Sequence, residues 1–128
     1  LLCVDTKRSK IYWSGANNKL CYVQDKTVLD VRADKQPIGK VDVVEPFTTH
    51  ELDYKAGTVF YLVTDGFADQ FGGDKGKKFK HKQLQETLLA LSELPMPQQH
   101  DRLNDAFEKW KGKLDQIDDV TIIGIKLS

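Results

Sequence analysis

Tyr61-Leu62-Val63-Thr64-Asp65-Gly66 and Asp118-Asp119-Val120-Thr121-Ile122-Ile123 decide how this chain is read. Each couples a carboxylate to an apolar run of the kind that forms a buried strand. The order is opposite in the two: Asp65 ends its run, whereas Asp118 and Asp119 open theirs. In an antiparallel pair the end of one strand lies beside the start of the other, so the carboxylates gather at one rim of the sheet. Like charges brought together there call for a cation between them. Carboxylate and water ligands, without imidazole or thiolate, select a hard ion, Mg2+ or Mn2+, over zinc or copper. Water on such an ion has a lowered pKa and attacks phosphorus while the metal screens the phosphoryl oxygens. The chemistry this pattern suggests is metal-assisted phosphate hydrolysis.

Each acidic motif also has a plainer reading. Asp65 is a favoured residue type for capping a short helix over Gly66 to Gln70, and Asp118-Asp119, with Asp115 nearby, suits a turn before a strand. The combination favours the metal, because both motifs adjoin the strands expected to be best buried, and carboxylates left against apolar walls are costly.

Outward from the first motif, Val59, Tyr61 and Val63 alternate with Phe60 and Leu62, which predicts a central strand over Thr58 to Thr64 covered on both faces. Val120 and Ile122 against Ile123, Ile125 and Leu127 give the last run the same character. Upstream, Leu1 to Thr6, Lys10 to Ser14, Leu20 to Gln24 and Thr27 to Val31 are strand-like runs separated by turn compositions, an antiparallel meander. A loop at Gln36-Pro37-Ile38-Gly39 leads to a longer extended segment, about Val41 to Glu51. Between the acidic motifs, Leu84, Leu88 and Leu91, then Leu103, Phe107, Trp110 and Leu114, mark two amphipathic helices broken at Pro95-Met96-Pro97.

With 128 residues and 40% hydrophobic content the chain suits one domain or part of one. Its 19 basic and 19 acidic residues balance, so no global field draws it to nucleic acid or an anionic membrane. No apolar run reaches the length of a bilayer span and no signal peptide opens the chain, which predicts a soluble cytoplasmic protein. Cys3 and Cys21 have no CxxC spacing and read as reduced core cysteines. His50, His81 and His100 are scattered and read as surface residues. Gly72-Gly73-Asp74-Lys75-Gly76 lacks the ending of a phosphate-binding loop and reads as a flexible loop. The run Lys75, Lys77, Lys78, Lys80, His81 and Lys82 reads as solvated surface rather than as a docking patch.

Val63-Thr64-Asp65-Gly66, two helices, and then Asp118-Asp119-Val120-Thr121 together resemble the C-terminal half of the SpoIIE-like branch of PPM-type, metal-dependent serine/threonine phosphatases. Tyr12-Trp13-Ser14-Gly15-Ala16-Asn17-Asn18 is similar to that family's alanine-glycine turn, and Pro37-Ile38-Gly39 to its Pro-Leu-Gly loop. The resemblance implies an α+β fold, an antiparallel β-sandwich flanked by helices. It implies Asp65 and Asp118 as ligands of one metal, supported by Gly66 and Asp119, with a two-metal Mn2+ or Mg2+ site in the full domain. The implied substrate is phosphoserine or phosphothreonine on a bacterial regulatory protein such as an anti-sigma-factor antagonist. An earlier aspartate-containing glycine-histidine-glycine motif of the family has no counterpart in these 128 residues. The expectation is therefore the C-terminal portion of a single phosphatase domain, incomplete at its N-terminus and inactive alone. An edge bared beside Leu1 to Thr6 would favour self-association. The alternative is a non-catalytic interaction module that keeps the phosphatase fold.

Overall fold

The computed structural model describes residues 1–40 and 42–128. The strands are β1 (Leu2–Asp5), β2 (Lys10–Trp13), β3 (Leu20–Gln24), β4 (Thr27–Val31), β5 (His50–Asp53) and β6 (Val59–Val63), followed by the short helix α1 (Gly66–Asp69). A small hairpin, β7 (Phe71–Gly72) and β8 (Lys77–Lys78), leads to α2 (His81–Leu91), α3 (Met96–Lys111) and the last strand, β9 (Ile122–Lys126).

These strands make a three-stranded sheet, β1-β2-β5, and a four-stranded sheet, β4-β3-β6-β9. The pairings within both are antiparallel. The first four strands are thus two hairpins in different sheets rather than one continuous meander. The break falls at the link 14–19, where Gly15 lies so close to the Trp13 ring and the Ala33 methyl that a side chain would collide with both. Chain direction changes there, and β2 pairs with β5 while β3 pairs with β6. The β3–β4 turn closes on Asp25 and Lys26, both with positive φ, the conformation a two-residue hairpin needs to match strand twist.

Alternation along the strands builds two cores. Between the sheets lie Ile11, Trp13, Leu20, Val31, Tyr54 and Phe60. On the other face of the four-stranded sheet, Cys21, Val23, Val59 and Tyr61 pack against Phe67, Phe79, Leu84, Leu88, Leu103 and Phe107 from the helical side. The layers run three-stranded sheet, four-stranded sheet, helices. Fully burying a side chain such as Phe60 or Leu84 contributes about 1.5–3 kcal/mol, so β6, which feeds both cores, is the strand the fold depends on most.

Helix α3 starts after Pro95 with Pro97 in its first turn, where a missing N–H is harmless. It ends at Gly112, whose φ of +57° suits glycine. That stop leaves Leu114 outside the helix and 46% exposed, so the apolar stripe ends at Trp110. The extended segment expected from about Val41 is also shorter. Val41 lies outside the described residues, and strand structure begins only at His50. Pro46 lacks an amide hydrogen, and Gln36 supplies the hydrogen bonds of Glu45 instead: its Nε2 donates to the Glu45 carbonyl at 2.7 Å and its Oε1 accepts from the Glu45 N–H at 3.3 Å. Asp34 likewise accepts from the Thr48 N–H at 2.7 Å.

Two other expectations change. β9 is an edge strand, and Ile123 on it is 54% exposed, so the last run is not covered on both faces along its length. Cys21 is buried and Cys3 exposed, both free. Cys3 sits opposite Tyr12, and Tyr12 opposite Glu51, on the outer face of the three-stranded sheet. The Gly72-to-Gly76 stretch forms the β7–β8 turn, with Gly73 and Gly76 at positive φ.

Candidate metal centre

β6 and β9 are antiparallel neighbours, with Val63 opposite Ile122. Continuing that register brings Thr64 against Thr121, and the chain then carries Asp65 and Asp118-Asp119 to the same end of the sheet. Three contacts fix this. The Thr64 N–H donates to the Thr121 carbonyl at 3.0 Å. The Thr64 hydroxyl donates to the Asp119 carbonyl at 3.1 Å, with the Thr121 carbonyl a longer alternative at 3.4 Å. The same oxygen accepts from the Thr121 N–H at 2.9 Å. Beside it the Asp119 carbonyl oxygen lies directly against the Cα of Gly66, where any side chain would overlap it. The glycine of the Asp-Gly pair is required by this close approach rather than by its backbone angles.

The segment entering β9 is anchored from several sides. Buried Gln70, just after α1, donates its Nε2 to the Asp115 carbonyl at 2.8 Å. Gln116 Nε2 donates to the Asp118 carbonyl at 2.9 Å. The Asp119 N–H donates to Asp118 Oδ1 at 2.7 Å, which turns that carboxylate back along its own chain. Gln70 is itself held, its carbonyl accepting from Trp110 Nε1 at 2.9 Å. None of these amide anchors is visible as a motif. The one available signal was the presence of Gln70 and Gln116 flanking the acidic segments in otherwise charged or apolar stretches.

Asp65 occupies the cap position of α1, yet its carboxylate makes no capping hydrogen bond and its backbone is already helical, with φ −73° and ψ −15°. The plain capping role is therefore not taken up. All three aspartates, Asp65, Asp118 and Asp119, are solvent-exposed, so the expectation that buried walls force a cation on them does not hold. The register of the strand ends, not burial, puts them at one end of the sheet. Beside the rim, a groove of about 600 Å³ between α3 and β9 is floored by Tyr61, Phe67, Leu103, Phe107 and Ile122 and includes none of these aspartates.

The donor set suits a hard divalent ion: carboxylate oxygens on a solvent-facing rim match Mg2+, which binds through one or two carboxylates and retains water. Among the described residues there is no group of three or more His, Cys, Asp and Glu side chains placed to hold a metal.

The whole sequence, residues 1–128, matches the family model for Stage II sporulation protein E (SpoIIE). The chain belongs to the SpoIIE family. Its structure is similar to the SiaA-PP2C domain of Pseudomonas aeruginosa, with a TM-score of 0.90 and 27% sequence identity over 99% of this chain and 50% of that one. It is also similar to the phosphatase domain of the cell fate determinant SpoIIE from Bacillus subtilis (Mn presoaked), with a TM-score of 0.71 and 15% identity over 99% of this chain and 55% of that one. A longer Bacillus subtilis structure, the PP2C phosphatase domain with a fragment of the regulatory domain, gives a TM-score of 0.73 and 16% identity over 97% of this chain and 36% of that one. No curated protein matches the sequence. The α+β sandwich of antiparallel sheets is thus that of PP2C phosphatase domains, and this SpoIIE-family chain spans about half the length of such a domain. Among the described residues no helix is long and apolar enough to cross a membrane.

Proposed function

We propose that this SpoIIE-family chain supplies one side of the metal site of a metal-dependent phosphatase that acts on phosphoserine or phosphothreonine of a regulatory protein. The observation that carries the reading is the pinning of the Asp118-Asp119 backbone to the end of β6 through Thr64 and Gly66, beside an Asp65 carboxylate left free of any helix cap. Asp65 and Asp118 are the ligands, Gly66 permits the close approach, and Asp119 supplies a further negative charge and the carbonyl that Thr64 holds.

Mn2+ or Mg2+ bound there supplies an activated water and charge stabilisation for the phosphoryl group. The protein's part is to hold two carboxylates at fixed spacing on a rim open to a bulky phosphoprotein, of which an anti-sigma-factor antagonist in a bacterial cytoplasm is the proposed example. Two carboxylates without further ligands leave the site short of charge and ligand number, so this chain alone binds the ion weakly and turns over little substrate. Its free edges, β1 beside the exposed Leu1 and β9 with exposed Ile123, favour self-association of the isolated chain, which light scattering would register.

The test is Asp65→Asn and Asp118→Asn, each made in the full-length protein and assayed on a phosphopeptide with Mn2+. Both keep the shape of the side chain and remove its charge, and each is expected to lose most of its turnover while remaining folded. Near-normal turnover in both overturns the assignment.

A further inference from the structure

We propose that Thr64 is a positioning residue whose hydroxyl sets the spacing between the Asp65 carboxylate and the Asp118-Asp119 segment. The inference rests on the metal-site reading above and deepens it, turning Thr64 from a backbone anchor into a determinant of metal binding. In a regular antiparallel ladder, every second facing pair exchanges two main-chain bonds, and the bond from the Thr64 N–H marks Thr64 and Thr121 as such a pair. Thr64 and Thr121 make only the first, from the Thr64 N–H to the Thr121 carbonyl at 3.0 Å. The second is replaced: the Thr121 N–H turns to the Thr64 side-chain oxygen at 2.9 Å, and that hydroxyl passes its own proton to the Asp119 carbonyl at 3.1 Å.

One hydroxyl therefore bridges two backbone groups on either side of Val120, both of which would otherwise lack a partner on β6. The ladder ends by a side-chain clamp instead of a main-chain bond. The chain is released from strict strand geometry immediately before Asp119 and Asp118, while its distance from Asp65 stays fixed. Thr64 is next to Asp65 in sequence, so the clamp and the ligand move as one unit. Hydrogen-bonding partners that orient metal ligands typically affect metal affinity or activity by about 10–100-fold when removed.

Thr64→Val preserves shape and β-branching but can neither accept from Thr121 nor donate to Asp119; Thr64→Ser keeps the hydroxyl. Three quantities separate the clamp from a general structural role in the full-length protein: Mn2+ affinity by titration, kcat and KM on a phosphopeptide, and amide hydrogen exchange of the metal-free peptide 117–124. Thr64→Val is expected to weaken Mn2+ binding by about tenfold or more, to lower kcat with KM little changed, and to speed exchange across that peptide. Thr64→Ser is expected to restore all three towards wild type. Wild-type Mn2+ affinity in Thr64→Val, alongside an Asp65→Asn variant that has lost it, overturns the clamp and leaves the metal site standing. Wild-type Mn2+ affinity in Asp65→Asn overturns the metal site and the clamp's purpose with it. If Thr64→Val does not fold, fast exchange of peptide 117–124 in the wild-type protein overturns the proposal, and slow exchange with restoration by Thr64→Ser supports it.

Discussion

Replacing Gly66 with alanine should separate the stability of this fold from the geometry of its acidic rim. The added methyl would overlap the Asp119 carbonyl oxygen and carbon and come within 3.2 Å of Val120 Cγ2. Carbon atoms in ordinary contact sit about 3.5–4.0 Å apart, so the β6 end and the Asp119 backbone must part by on the order of 1 Å. The obstacle is backbone and cannot swing aside. Forcing such an insertion into packed structure costs about 1–3 kcal/mol. Gly66 opens α1, however, and alanine is favoured over glycine in a helix by up to about 1 kcal/mol. The net loss of stability should be modest, about 1–2 kcal/mol. The functional loss should be larger, because misplacing a catalytic group by about 1 Å can lower turnover by about a hundredfold. Denaturant unfolding and Mn2+ titration of the full-length variant measure the two effects side by side. Gly124→Ala is the control: its nearest obstacle is the flexible tip of Met96, with Cε at 2.6 Å, and it should leave stability and metal affinity nearly unchanged. A folded Gly66→Ala protein with wild-type Mn2+ affinity and turnover would refute the argument that the Asp119 carbonyl is held against Gly66 for the sake of the site.

Two further outcomes test the core. Tyr61→Phe removes the hydroxyl that donates to Gln99 Oε1 at 2.7 Å, where both residues are 1% exposed, and stranding that buried acceptor should lower unfolding free energy by about 1–3 kcal/mol. An unchanged urea midpoint would show that water replaces the bond. Burial, with a smaller contribution from Asp30, pushes the Cys21 thiol up from 9.0 to about 12. Because its folded pKa is raised, the stabilisation is complete below about pH 9 and lost as pH rises towards 12. An alkylating reagent at pH 8 should therefore label exposed Cys3 and spare Cys21 until the protein is unfolded, and equal labelling of both in the native state would contradict the packing described.

The elements that periodicity could announce are the ones whose side chains face a single environment. Val59 and Tyr61 against Phe60 and Leu62, or Leu84 and Leu88, alternate because one neighbour covers each face. Apolar content did not reveal sheet width: Ile122, Ile123 and Ile125 read like a central strand, yet β9 is an edge, since nothing local records how far the opposing sheet extends. Leu114 continued a helical stripe, but Gly112 ended the helix first, a contest between backbone freedom and burial that the stripe alone cannot decide. That Asp65 and the Asp118-Asp119 segment lie at the same end of the sheet was readable from strand polarity, although the burial invoked to strengthen the metal reading is not there. The part played by Thr64 was not readable, because a threonine hydroxyl has no role until the backbone it holds, from the far end of the chain, lies beside it.

The pairing of β6 with β9 has a consequence for the order in which this protein assembles. Asp65 and Asp118 are separated in sequence by α1, the β7–β8 hairpin, α2 and α3, so they reach the same end of the sheet only after that entire excursion has folded back and closed a long loop. β9 is also the less buried partner, at the sheet's margin, which makes it a candidate to join late and to detach first. An ion held by both carboxylates, as proposed, would bind only the closed form and draw the opening equilibrium towards it. Metal supply would then set how firmly the C-terminal strand stays seated, and a cell short of the ion would hold this chain in a state prone to fraying at that end before any global unfolding begins.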